Sequence, residues 1–302
     1  MNEKTFNVLT IDGGGLRGIY AASILLNMEK KWGISFEDEF DLIAGTSTGA
    51  IIAAGLAIGL PAQAVVDLYM EKGEFIFKKN LWGGVVTPKY NNNNLRQVLD
   101  DVFGNKQFND AKTGLMVTAT NVSDGMPWVF KSLYHERLTR DQGVKLADAV
   151  LSSCCAPVYF NPYEVNDRLL ADGGLWANNP ALVALAETVG HNIDMKKYKV
   201  RILSLGTGIN IKYYPLDWGD KKWGAARWGT GLIDVIFNMQ SFSVERYLGA
   251  LMNKEQYLRI NFEIEDGLPI DDTKIMPALM DQGTDDFYKN EINIKKLLGK
   301  SN

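Results

Sequence analysis

A three-layer α/β/α fold, with a largely parallel central sheet between two sets of helices, is predicted by three features of this 302-residue sequence. Short apolar runs alternate with longer stretches of helical periodicity, glycine-rich turns join strand to helix at Asp12–Gly18 and Gly45–Gly49, and 46% of the chain is apolar. That is enough apolar material to cover both faces of a sheet.

Phe6–Ile11 reads as the first strand, and Gly18–Lys31 as a helix carrying Ile19, Ala22, Leu25, Leu26 and Met28 at helical spacing. Asp41–Ala44 is a short second strand, with a helix from about Thr48 to Gly59 behind it. Further strands are expected at Leu115–Thr120, Trp128–Ser132, Arg168–Leu170 and Val200–Leu205. Helices are expected near Leu95–Phe103, Val144–Ser153, Pro180–Val189, Leu232–Met252 and Lys274–Met280. Neither a repeat nor a linker interrupts them, so one domain is expected over 1–302, with its core motifs in 6–208 and a helical C-terminal region at 229–302. In such sheets, ligands and catalytic groups gather at the C-terminal ends of the strands.

Composition narrows the function classes. Thirty-two basic residues face 36 acidic ones with no Lys/Arg-dense block, which argues against binding a DNA duplex. The N-terminus lacks the apolar stretch of a signal peptide, and the only two cysteines, Cys154 and Cys155, are adjacent. A cytoplasmic protein without a disulfide framework, metal or cofactor is expected. Leu42–Leu60 is uncharged and nearly long enough to span a bilayer. Gly45, Gly49, Gly55 and Gly59, with Thr46-Ser47-Thr48 in its first third, suit a tight turn followed by a buried helix better.

Two turns carry chemistry. In Asp12-Gly13-Gly14-Gly15-Leu16-Arg17-Gly18, consecutive amides at a helix N-terminus can stabilise an anion. The same residues satisfy Gly-x-Gly-x-x-Gly, a dinucleotide-binding fingerprint, but that reading needs a second strand ending in an acid about 20 residues on. Met28–Phe40 is too charged to supply one. Gly45-Thr46-Ser47-Thr48-Gly49 matches the Gly-x-Ser-x-Gly nucleophile elbow in its required strand–turn–helix setting. Read blandly, it is a serine-capped helix start with glycine spacers.

A serine hydroxyl needs a base. His135 sits in a charged segment and His191 in a polar loop, so neither is well placed. Asp172-Gly173-Gly174 directly follows apolar Leu169-Leu170-Ala171 and precedes a helix, which puts a carboxylate beside the sheet edge. Without Ser47 it would read as an ordinary turn.

These three motifs occur in the order and approximate spacing of patatin-like phospholipases, which the chain resembles from about residue 6 to 208. The resemblance implies that Ser47 attacks a lipid ester, that Asp172 is its dyad partner, and that Gly13, Gly14 and Gly15, with Arg17 in the same loop, form an oxyanion hole. Ser152-Ser153-Cys154-Cys155-Ala156-Pro157 belongs to the resemblance too, although the two cysteines depart from the family's small residues there. They read as small core residues rather than a redox pair.

Tyr213–Trp228 concentrates Trp218, Lys221, Lys222, Trp223, Arg227 and Trp228 in a glycine-containing loop. It can cap the core, contact lipid, or bind a nucleotide by stacking bases on Trp and pairing phosphates with cations. Length and motifs also resemble the patatin-like effectors of bacterial anti-phage signalling. That narrower resemblance implies activation by a cyclic di- or trinucleotide, membrane phospholipid as substrate, action at the inner membrane surface, and room for a homo-oligomer. Two rival functions remain open: a nucleotide-binding oxidoreductase using Gly13, Gly15 and Gly18, and a catalytically silent sensor of nucleotide or membrane.

Overall fold

The computed structural model describes residues 4–80, 87–189, 198–210, 231–264 and 269–300. In chain order its main elements are β1 (Lys4–Ile11), α1 (Gly18–Trp32), α2 (Phe36–Glu39), β2 (Leu42–Thr46), α3 (Thr48–Ala57), α4 (Ala62–Ile76), α5 (Asn92–Phe103), β3 (Gly114–Asn121), β4 (Met126–Lys131) and α6 (Leu146–Ser153). There follow β5 (Tyr163–Val165), β6 (Arg168–Asp172), α7 (Gly174–Ala177), α8 (Ala181–Glu187), β7 (Tyr198–Leu205), β8 (Ile209–Asn210), α9 (Gly231–Leu251), β9 (Tyr257–Ile260), β10 (Glu263–Ile264) and α10 (Met276–Leu298). The main sheet runs β5-β6-β3-β2-β1-β7-β9, with β4 also paired to β3.

Successive strand residues point to opposite faces, and the two apolar clusters follow that alternation. Leu9, Ile11, Ile43, Leu115, Val117, Leu203 and Leu205 pack with α1, α3 and α4 on one face. Val8, Leu42, Ala44, Met116, Val200 and Ile202 pack with Ala181 and Ala184 of α8 and Val244 and Leu248 of α9 on the other. Strands covered on both faces read as continuous apolar runs, which is why β2 is buried throughout.

Apolar Leu42–Leu60 resolves into β2, a turn and α3. Every residue of α3 is buried, as expected for a helix apolar on all sides. Among the described residues no helix is long and apolar enough to cross a membrane.

Three features depart from the sequence reading. Helix α4 was not anticipated, although Ala62, Val65, Val66 and Tyr69 keep helical spacing after Pro61 and are buried. The last helix runs to Leu298 rather than Met280, because Leu279, Gly283, Phe287, Ile294 and Leu297 keep a buried stripe through a polar stretch. Its partner is α1. The C-terminal region is not only helical: β9 lies parallel to β7 and extends the sheet.

The strand β6 is antiparallel, and its placement matters most. Parallel β2 occupies one edge of β3 as far as the Thr46–Thr118 pair. On that edge β6 takes over at the next residue, pairing Asp172 with Ala119 while running the opposite way. The other edge of β3 is filled over Met116–Asn121 by β4. Strands β2 and β6 therefore meet end to end, with Ser47 following one terminus and Asp172 forming the other.

Candidate active site

Ser47 sits at the turn between β2 and α3 with φ 53° and ψ −123°, in the region of positive φ that non-glycine residues seldom adopt. Two glycines make the turn physically possible. A Cβ on Gly45 would collide with the Gly49 carbonyl, and one on Gly49 with the Ile11 carbonyl of β1, so the helix can approach the sheet only where both lack side chains. Ser153 Oγ accepts the Ser47 amide at 2.8 Å, and the Ser47 carbonyl accepts Ala50 N–H at 2.8 Å as α3 begins. The turn is thus held from both sides while Ser47 lines a cleft.

The Asp172 carboxyl is fully buried. Its Oδ1 accepts the Gly174 amide at 2.6 Å. Oδ2 has no partner of normal geometry among the described residues. Burial pushes the carboxyl up to about 7, against the opposing pull of the Gly174 amide and the nearby Ser47 hydroxyl. The Cys154 thiol, also beside Ser47, is pushed far above its ordinary value by burial and then by the Asp172 charge. It stays a protonated thiol at neutral pH.

The glycine loop is clamped residue by residue. Asp12 is held by a buried bidentate pair with Arg259 of β9, at 2.8 and 2.6 Å. Gly13 donates its amide to the Asn178 carbonyl at 3.0 Å, and its own carbonyl accepts the Thr207 hydroxyl at 2.6 Å. Leu16 N–H is taken by the Ile270 carbonyl at 2.8 Å. The amides of Gly14 and Gly15 have no acceptor among the described residues. This corrects one expectation: Gly13 belongs to the loop's support, because its donor is already used. Arg17 is nearly buried, its Nε 3.4 Å from the Gly14 carbonyl. Its Nη1 has no hydrogen-bond partner among the described residues, and burial brings the guanidinium down to about 10.

One apolar cleft joins these parts. Gly15, Ser47 and Asp172 share its lining with Leu16, Ile51, Leu68, Ile76, Phe77 and Phe237, and it measures about 620 Å³ including its open mouth. His135 does not line it, and instead accepts the Arg137 amide in the turn after β4. Both His191 and the loop residues Trp218, Lys221, Lys222, Trp223, Arg227 and Trp228 lie outside the described residues. Among the described residues no group of His, Cys, Asp or Glu is arranged to hold a metal.

Several supporting groups stand outside the motifs. Thr207 follows β7 in Gly206-Thr207-Gly208 at the same sheet edge as the other motifs, a legible signal. Asn178 stands next to the Asn179-Pro180 pair that marks a helix start. Arg259 has no local signature, since only the fold brings it to Asp12.

A serine on a strained strand–helix elbow, sharing an apolar cleft with a buried carboxyl, is the arrangement expected of a serine hydrolase whose substrate has a hydrophobic part. The chain belongs to the patatin-like phospholipase family, whose model matches residues 9–185. It is thus a lipid acyl hydrolase acting on esters. It is 34% identical over 281 residues to a cGAMP-activated phospholipase of Pseudomonas aeruginosa, covering 91% of this chain and 82% of that one. A cGAMP-activated phospholipase of Escherichia coli is 36% identical over 252 residues, 76% of this chain and 71% of that one. Among solved structures, VipD from Legionella pneumophila superposes with a TM-score of 0.53 at 14% identity, covering 99% of this chain and 67% of that one, which supports the fold. The dinucleotide reading of the glycine loop falls with this membership, and β2 ends at Thr46 without the acid that reading needs.

Proposed function

We propose that Ser47 attacks the ester carbonyl of a membrane phospholipid while Asp172 accepts its proton, and that the amides of Gly14 and Gly15 stabilise the resulting oxyanion. The end-to-end meeting of β2 and β6 carries this reading, because it delivers a hydroxyl and a buried carboxyl to one apolar cleft without any third side chain. A carboxyl near 7 is a competent base at neutral pH. Collapse of the tetrahedral intermediate releases the lysolipid alcohol, which takes back the proton, and leaves an acyl-Ser47. Water, deprotonated by Asp172, then frees the fatty acid. Arg17, whose Nη1 is unpaired among the described residues, adds positive charge beside the loop.

The names of the two relatives support activation by a cyclic dinucleotide. A part in antiviral defence at the inner membrane surface is what the sequence resemblance implies alongside it. A ligand raises activity only by binding the active conformation better than the resting one. The test is fatty-acid release from phospholipid vesicles by wild type and Ser47→Ala, with and without a panel of cyclic di- and trinucleotides. Release that needs Ser47 and grows with one nucleotide is the expected result. Release by Ser47→Ala would end the nucleophile assignment, and full activity without nucleotide would end the gating.

A further inference from the structure

A second apolar cavity, lined by Ile51, Gly55, Leu60, Ala64, Val65, Leu68 and Val102, lies against the cleft that holds Ser47. Ile51 and Leu68 line both, so they form the wall between them. All of its lining is aliphatic or glycine. Ile51 and Leu68 are buried, whereas Leu60, Ala64 and Val102 are only partly so, and the cavity therefore opens outward between α3, α4 and α5.

The helix geometry gives this arrangement a length scale. Ile51 and Gly55 follow Ser47 on one side of α3, about 6 and 12 Å along the axis at 1.5 Å per residue. An extended acyl chain advances about 1.3 Å per carbon, from C–C bonds of about 1.5 Å set at the tetrahedral angle. A chain esterified to Ser47 and running along α3 would reach the wall after about five carbons and Gly55 after about nine.

We infer that the second cavity receives the distal half of a long acyl chain, and that Ile51, Leu68 and Gly55 set the chain length the enzyme accepts. The inference rests on the proposed role of Ser47, since it measures length from that residue. Ile51 and Leu68 part by rotamer changes, and methylenes that pass them leave water for an aliphatic lining. Gly55 keeps the passage open: a Cβ there would be in ordinary contact with Val65 and Leu60, and a longer side chain would fill the space. The occupant is an acyl chain because the cavity adjoins the cleft across two aliphatic side chains and has no lining side chain that could pair with a head group or phosphate.

The test compares kcat/KM for butyrate and palmitate esters of one chromogenic alcohol in wild type, Gly55→Leu and Ala64→Phe, with thermal midpoints confirming that each is folded. Gly55→Leu should lower the palmitate-to-butyrate ratio at least tenfold, an effect of the size a few methylenes exert in an apolar pocket. Ala64→Phe fills the cavity from its partly exposed side and should do the same should Gly55→Leu fail to fold. Ile51→Ala should raise the ratio. An unchanged ratio in a folded cavity-filling variant would overturn the inference. Absence of Ser47-dependent turnover on either ester in the wild type would instead overturn the reading on which it rests.

Discussion

Replacing Asp172 with asparagine is expected to abolish hydrolysis and, at neutral pH and above, to make the protein more stable. Burial raises the carboxyl from its ordinary 3.8 to about 7 in the folded protein, against the Gly174 amide and the Ser47 hydroxyl, while the unfolded chain ionises normally. The folded state thus holds this proton more tightly. Stability from the group is fully present below about pH 4 and is lost as pH climbs through about 7. At about 1.4 kcal/mol per pK unit, the loss at pH 8 is on the order of 4 kcal/mol, with roughly two thirds of it falling between pH 5 and 8. Asparagine cannot ionise, and its oxygen can still accept the Gly174 amide. The assay is Tm of wild type and Asp172→Asn across pH 5 to 8, where subtracting one profile from the other cancels the remaining titrating groups. The difference should shift by about 5 °C toward the variant as pH rises. A difference that stays flat would mean that Asp172 ionises near its ordinary value in the folded protein, and the argument from burial would fail.

The same carboxyl should give wild-type kcat/KM an acid limb near pH 7, read from a pH–rate profile, because only its ionised form can accept the serine proton. Ser47→Gly should remove fluorophosphonate labelling while raising Tm by a degree or two, since glycine tolerates φ 53° without strain. Gly14→Val should lower kcat about 100-fold in a folded protein, because its Cβ would collide with the Thr207 side chain and displace the loop amides; unchanged turnover would remove the loop from the mechanism. Arg259→Met should cost about 3–5 kcal/mol in urea unfolding, since the buried Asp12 carboxyl would lose the guanidinium that pairs with both its oxygens.

The parts legible in the sequence are those encoded within a few residues. Both glycine turns announce themselves because close backbone approach forbids side chains at Gly45, Gly49 and Gly14, and Asp172 was found by its place after an apolar run. Strand positions followed from apolar runs, but not the direction of β6, because a strand's residues do not record whether its neighbour runs with or against it. From sequence the last helix reads as ending at Met280, because its buried stripe is diluted by Lys, Asp and Asn on the other face. Thr207, Asn178 and Arg259 act on the loop across more than 160 residues of sequence, a separation no local pattern carries.

The end-to-end meeting of β2 and β6 has a consequence for the cell that makes the protein. About 125 residues separate Ser47 from Asp172, so at 5–20 residues per second a ribosome would expose the proposed nucleophile roughly 6–25 s before its proposed base. Arg259, which clamps the start of the glycine loop, emerges later still. With the roles proposed above, a nascent or truncated chain would carry a serine with neither proton acceptor nor braced anion site. On the proposed mechanism, lipid near the site of translation would be spared until Arg259 and the strand that carries it have been synthesised and folded.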